Sequence, residues 1–515
     1  MIDLFKSERQ KWKIPVQHAQ LRTTPTLPGF DTRSRELYET ALPRGVLMPR
    51  LEADRERMNF WMSPMELMKF QYQPGQIILG KLAGTYLGHL DDRPMVTIAG
   101  ARSGKTSTVL EPNIYLYSGS MLVLDPKGEL ARLARFRRMM GHIVHVLDPF
   151  GQSGEKSACY NCLDELDPDD PGLVDDVVSI TNALVPDDGD ARSKHWNDSA
   201  RMLLVGLILL TLSLPKSERH LVTMRELLSL TYKPLALAAK AAAAKALAEA
   251  SPEEKKKYFD MNAYAVMTLL NSMSAMGDRF GGVAAAIGNR FSQTPLNERG
   301  SIFSTAAAQT DFLDSLPLRE TLRRSDFSLR DLRGERPTTM FLCLPVGRME
   351  RHSRWLRLIV QMACTVLEGL GPYPRAKPPI LFMMEEFATL GHMEIMERAA
   401  AYFPGFGVKL WVILQDITQL QRYYKTGWET FLGNAGLVQL FANGDEETLR
   451  YAAGRMEKLI APFELRTAFA RERFSQLLLL EGKPPAAALR LEHADVEMIR
   501  RRSEVSAWRI QLPSK

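Results

Sequence analysis

One stretch constrains this chain more than any other: Met95-Val-Thr-Ile-Ala-Gly-Ala-Arg-Ser-Gly-Lys-Thr-Ser107. A short apolar, β-branched run passes into Gly100, Ala101, Arg102, Ser103, Gly104, Lys105, Thr106 and Ser107, and then into a sequence able to form a helix. A loop that binds phosphate needs glycine where the backbone turns tightly and approaches the anion, so that successive amide N–H groups point at it. It then needs a lysine that reaches the terminal phosphates and a hydroxyl that holds Mg²⁺. Gly104, Lys105 and Thr106 stand where those roles require them, whereas the first position of the pattern is Ala99, with Gly100 one residue later.

Mg²⁺ prefers oxygen ligands, so such a loop also needs a carboxylate on a second strand. Ile380-Leu-Phe-Met-Met-Glu-Glu386 provides an apolar strand ending in two carboxylates. In the usual arrangement the first supports the metal and the second polarises the attacking water. Here the first is Glu385, one methylene longer than the usual Asp, and the second is Glu386. Taken alone, the segment is equally a buried strand meeting a solvated helix cap; the loop upstream decides between the two. Gln415 ends the apolar run Val408 to Leu414. At the carboxyl end of a strand its amide can touch a γ-phosphate or position water, and it can equally be a loop glutamine bonded to backbone.

Around these motifs the chain alternates short apolar runs with helical stretches. Strands are expected at 95–99, 121–124, 143–147, 338–344, 380–384, 408–414 and 437–442. Alternation of this kind argues for a parallel sheet with helices on both faces. Between about 165 and 300 no strand-like run stands out. That stretch opens acidic and Pro-bearing, and continues into an apolar run at 202–214 and an Ala-rich run at 235–250, with a helix start at Pro252. The apolar run is too short for the roughly 18 to 20 residues of a bilayer span, so it reads as a buried helix.

The motifs, taken in order, resemble the TraG-like ATPases, the coupling proteins of type IV secretion. The resemblance rests on GARSGKT, Asp125-Pro-Lys-Gly-Glu129, Asp148-Pro-Phe-Gly151, Tyr160-Asn-Cys-Leu163, Glu386-Phe-Ala-Thr-Leu-Gly391, Gln415 to Tyr424, Asn434 and Asp445-Glu-Glu-Thr448, and it runs from about residue 85 to 500. It implies an α/β fold: a RecA-like P-loop NTPase with a mostly parallel central sheet and an all-α domain inserted into it, assembling as a homo-hexamer. It implies ATP and Mg²⁺ as cofactors, and as partners DNA, single-stranded by expectation, or a relaxase–DNA complex, together with secretion-channel components. Lys105, Glu386 and Gln415 would be catalytic; residues 100–107 with Asp125 and Lys127 would line the nucleotide; Thr106 and Glu385 would hold the metal. Relatives draw an arginine from a neighbouring subunit near residues 399–421, a stretch without Arg here, which leaves Arg398 and Arg422 as candidates.

The expected organisation is an N-terminal arm over 1–80, a discontinuous motor domain over 81–164 and 300–500, an all-α insertion over 165–299, and a basic C-terminal tail over 501–515. Relatives carry an N-terminal membrane anchor; the opening MIDLFKSERQKWKI has no apolar core of that kind, so a cytoplasmic protein, recruited to the inner membrane through partners, is expected. Two other functions fit the residues: a cytosolic DNA translocase of a mobile element, and an adaptor that binds nucleotide but hydrolyses it slowly because of Glu385.

Composition adds limits. Four Cys in 515 residues exclude a disulfide framework. The excess of 66 Lys plus Arg over 60 Asp plus Glu suits an anionic partner but is spread thinly. Cys159 and Cys162 lack a second pair or a nearby His in ligand spacing, His142 and His145 would face opposite sides of a strand, and the basic clusters at 132–138 and 500–502 read as solvated helix faces that could touch a phosphate backbone. Trp196 reads as a packing residue.

Overall fold

The computed structural model describes residues 61–186, 191–249, 261–374, 377–457 and 460–511. The prolines of the expected N-terminal arm, at 15, 25, 28, 43 and 49, and the helix start at Pro252 lie outside them.

Eleven strands form one sheet: β1 Ile77–Leu82, β2 Thr85–His89, β3 Met95–Ala99, β4 Met121–Leu124, β5 Ile143–Leu147, β6 Thr338–Leu342, β7 Ile380–Met384, β8 Val408–Leu414, β9 Leu437–Phe441, β10 Ser475–Leu480 and β11 Ala486–Leu489. Their order is β2-β1-β11-β10-β9-β3-β8-β7-β4-β6-β5. The seven strands from β9 to β5 are mutually parallel and are the seven expected from their apolar runs. β10, β11, β1 and β2 extend that core through antiparallel pairs and were not expected.

Parallel strands are covered on both faces, so they read as continuous apolar runs and not as alternating ones. Within a run the pleat still divides the residues: Val96, Ile98, Leu122, Leu124, Phe382 and Met384 enter one core, and Met95, Ala99, Met121, Val123, Leu381 and Met383 the other. A buried polar relay crosses five strands inside the second layer. The Trp411 indole N–H donates to Thr97 Oγ1 (2.8 Å), the Thr97 hydroxyl to Gln439 Oε1 (2.8 Å), the Gln439 amide to Gln476 Oε1, and the Gln476 amide to the Leu79 carbonyl (2.8 Å). The relay ties the antiparallel extension to the parallel core, and it needs Gly80, where a Cβ would lie 2.3 Å from Gln476 Nε2.

Between β5 and β6 the described residues contain helices and no strand. The helix Ala191–Leu212 runs through the middle of this region, and its Leu203, Leu204, Leu207 and Ile208 are fully buried, so the apolar run is a core helix. Trp196 packs against the same core. No helix among the described residues is long and apolar enough to cross a membrane.

All four expected boundaries fall inside elements, and the one at 164/165 cuts the single turn Cys162–Glu165. The cut at 80/81 divides β1, whose Gly80 and Gly88 of β2 hide the strand pattern. The cut at 299/300 divides the helix Leu296–Gln309, whose Ile302 and Ala306 are buried with the helical region. Residues 501–511 are the end of the helix His493–Gln511 and not a separate tail; Val496 and Ile499 pack it on Ile78, Tyr115 and Phe136. Arg500 on that helix is held by Glu497 and Glu504, and Arg501 by Glu497. The other basic cluster divides: Arg137 is fully buried with its guanidinium on the carbonyls of Ile114, Tyr117 and Gly119, and Arg138 pairs with Glu155, whereas Arg132 and Arg135 are exposed.

Candidate functional site

The loop after β3 turns by means of two left-handed residues, Arg102 (φ 54°) and Gly104 (φ 85°). Alternation of this kind points backbone N–H groups into one concavity, the geometry of an anion nest. Gly100 is needed for close approach: a Cβ there would lie 2.4 Å from the Ala442 carbonyl at the end of β9. The absent glycine at position 99 is explained by this contact, since Ala99 is still strand and the tight passage comes one residue later. The loop runs into a π-type turn, Thr106–Leu110, and the helix Glu111–Leu116, which Asn113 anchors to both backbone groups of Ile78 on β1.

Five residues expected to act on phosphate meet at the carboxyl ends of β3, β7 and β8. Thr106 Oγ1 donates to Glu385 Oε1 at 2.8 Å, and Lys105 Nζ donates to Glu386 Oε1 at 3.2 Å. Gln415 Nε2 donates to Glu386 Oε2 at 3.0 Å, so the Gln415 side chain faces the carboxylate and is not spent on backbone. Glu386 holds a left-handed backbone conformation (φ 52°, ψ 46°), uncommon for a residue with a side chain and concentrated at functional sites.

Glu385 is 1% exposed, and its Oε2 has no hydrogen-bond partner. Burial raises its pKa, with the Thr106 hydroxyl and the Lys105 ammonium opposing the rise. An unpaired anionic oxygen beside a threonine hydroxyl is the donor set a hard divalent cation takes, so these residues fit Mg²⁺.

Asp125 and Lys127 follow β4, the neighbour of β7. Burial pushes Asp125 up to about 7, and the Glu385 carboxylate adds to the rise while backbone donors oppose it. Its oxygens accept from the Glu129 and Ala131 N–H groups at 3.1 and 2.7 Å, which fixes the turn. Lys127 is exposed, and its charge acts on Glu385. Ala101, Arg102 and Ser107 are exposed along the loop, and Ser103 is buried. Of the two arginine candidates, Arg398 pairs with Glu368 at 2.7 Å and Arg422 is exposed. Cys159 and Cys162 are buried, and burial raises both thiol pKa values, so neither is a ready thiolate.

Two contacts escaped the sequence reading. Asn443 Nδ2 donates to the Gln415 carbonyl at 2.8 Å and holds the end of β8 beside β9. Arg490, 1% exposed, donates from Nη1 to the Ser103 carbonyl at 2.6 Å, with its guanidinium over the Phe441 and Phe474 rings. Burial lowers its pKa to about 10, so it stays charged at neutral pH. The available signal was a lone Arg closing the apolar run Ala486 to Leu489, too weak to place beside a loop nearly four hundred residues upstream.

Fold and site together define a P-loop NTPase of the RecA-like class. Within that class, residues 62–456 match the family described as Type IV secretory system Conjugative DNA transfer, and the chain belongs to that family. It is 28% identical over 345 residues to the conjugal transfer protein TraG of Escherichia coli, covering 65% of this chain and 50% of that one. It is 25% identical over 467 residues to VirD4 of Agrobacterium fabrum, covering 84% and 63%. The chain thus spans from half to under two thirds of these relatives. Among solved structures, the plasmid coupling protein TrwB in complex with the non-hydrolysable ATP analogue ADPNP aligns with a TM-score of 0.58 at 15% identity, over 83% of this chain and 92% of that one. TrwB in complex with ADP and Mg²⁺ aligns with a TM-score of 0.59 at 14% identity over the same shares.

Proposed function

We propose that this protein is an ATP-hydrolysing motor that couples a DNA or nucleoprotein substrate to a conjugation or type IV secretion machinery and drives its movement. The observation that carries the reading is the convergence of Lys105, Thr106, Glu385, Glu386 and Gln415 from three strands onto one point above the phosphate loop. Family membership and TrwB's nucleotide complexes support it.

In the proposed mechanism the backbone N–H groups of residues 101–106 cradle the phosphates of ATP, and Lys105 leaves Glu386 for the terminal phosphates. Thr106 and Glu385 would hold Mg²⁺, which when bound would neutralise charge on the phosphate oxygens. Glu386, released from Lys105, orients the water for in-line attack on the γ-phosphate, and Gln415, hydrogen-bonded to Glu386, senses whether that phosphate is present. A homo-hexamer, in which a neighbour's arginine reaches this site, completes the arrangement. Arg422 is the candidate with a free hand, because Arg398 is paired to Glu368. We further propose that the helical region between β5 and β6 is one insertion domain carried by the motor.

Steady-state hydrolysis by Lys105→Ala tests this reading. Turnover is expected to disappear, because the residue that reaches the terminal phosphates is gone; full activity in that variant would sink the assignment.

A further inference from the structure

The site described so far lies on one side of the phosphate loop, and the other side carries an unexplained feature. β3 has β8 as one neighbour and β9 as the other. The groups that meet the γ-phosphate, Glu386 and Gln415, follow β7 and β8. A triphosphate running away from them along the loop, past Lys105 and Thr106 to Ser107, therefore delivers its nucleoside toward β9 and β10. This orientation rests on the nucleotide reading above.

At the carboxyl edge on that side stand the residues before β10 and after β11. Arg490 Nη1 is bonded to the Ser103 carbonyl, and with Thr108 Cγ2 it lies 3.6 Å from where a Cβ on Gly104 would be, Ser107 Oγ following at 3.8 Å. The guanidinium is thus against the loop where the α-phosphate end of a nucleotide leaves it. Its carbon lies 5.2 Å from the centre of the Phe474 ring. Phe474 is 39% exposed and has a left-handed backbone, φ 54° and ψ 7°. The conformation is locked from both ends: the Phe474 carbonyl accepts from the Arg490 N–H at 2.7 Å, and the Phe474 N–H reaches the Arg471 carbonyl. A large aromatic residue at positive φ is an outlier, and one that leaves its ring partly in solvent does not recover the strain by burial. Glycine would serve the turn better. An exposed ring, fixed in place and joined through one arginine to a phosphate loop, suits a flat π-system as ligand.

We propose that Phe474 is the platform on which the base of the bound nucleotide stacks, with Arg490 linking that platform to the phosphate loop. Stacking accepts any base, so Phe474 contributes affinity for nucleoside triphosphates as a class and does not select adenine.

The test compares binding of Mg-ATP, Mg-GTP and Mg-tripolyphosphate to the full chain by calorimetry, in the wild type, Phe474→Gly and Phe474→Tyr. Phe474→Gly is expected to weaken ATP and GTP by about tenfold, a normal loss for one base–aromatic stack. It is expected to leave tripolyphosphate binding unchanged and the thermal midpoint no lower, since glycine takes this backbone without strain. Phe474→Tyr keeps the ring and is expected to keep nucleotide affinity. Unchanged ATP binding in Phe474→Gly would overturn the proposal, and so would equal losses of ATP and tripolyphosphate, the mark of a merely structural role. Failure of the wild type to bind any of the three ligands would overturn the nucleotide reading and this assignment with it.

Discussion

At the scale of single residues, the site is built from groups that neutralise one another: Lys105 on Glu386, Gln415 on Glu386, Thr106 on Glu385. A ligand must displace these contacts, which makes the roles separable by substitution. In the proposed mechanism Glu386 orients water, and Glu386→Gln would remove that carboxylate and also free Lys105. Turnover is expected to fall by about 10²- to 10⁴-fold, the usual loss for a general base, with ATP affinity retained or raised; single-turnover hydrolysis beside equilibrium binding checks both. Asp125 gives a pH signature. Its folded-state value of about 7 lies above the ordinary 3.8, so the folded protein holds a proton that the unfolded chain has released. That contribution to stability is fully present below the unfolded value and is lost as pH rises through the folded one. The urea midpoint of the wild type, taken relative to Asp125→Asn, is therefore expected to decline between about pH 4 and about pH 7. Lys105, Thr106, Glu385, Glu386 and Gln415 were legible in the sequence because each closes or follows a continuous apolar run, and parallel strands bring such ends together. Phe474 and Arg490 were not, because their place depends on an antiparallel return that no local pattern announces.

At the scale of elements, the seven parallel strands were readable and the four antiparallel ones were not, for identifiable reasons. Ala486-Ala-Ala-Leu489 has the composition of a helix and becomes β11 only by pairing with β10 and β1. β1 and β2 each carry a glycine that interrupts the run, and Gly80 is there because the Gln476 amide and the Leu489 carbonyl occupy the space of a side chain. The polar relay through Thr97, Gln439 and Gln476 is what holds this extension in register. Gln439→Leu leaves Thr97 and Gln476 buried with missing partners and is expected to lower stability by about 1 to 3 kcal/mol per orphaned group, measurable by urea denaturation. Because the same hairpin carries Phe474 and Arg490, the variant is also expected to weaken nucleotide binding, whereas a cavity of similar cost in the helical region would not.

At the scale of the whole molecule, the chain places an NTPase sheet beside a helical region inserted between β5 and β6, and composition foretold only the size and the weak positive excess. The fold class was visible because loop, carboxylate strand and alternation agreed; the limits of the helical region were blurred because the helix that crosses its expected end, Leu296–Gln309, buries only Arg299, Ile302 and Ala306 and so shows no strong apolar pattern. If the motor works as a ring, subunits are coupled, and adding Lys105→Ala subunits to wild type is expected to lower hydrolysis more steeply than in proportion to their share. A linear decline would favour independent subunits. The central claim, a motor driven by ATP and engaged by DNA, is tested most directly by the rate of ATP hydrolysis of the full chain with and without single-stranded DNA. The account predicts stimulation of many-fold that Glu386→Gln abolishes; a rate indifferent to DNA, or one that survives loss of the Glu386 carboxylate, would contradict it.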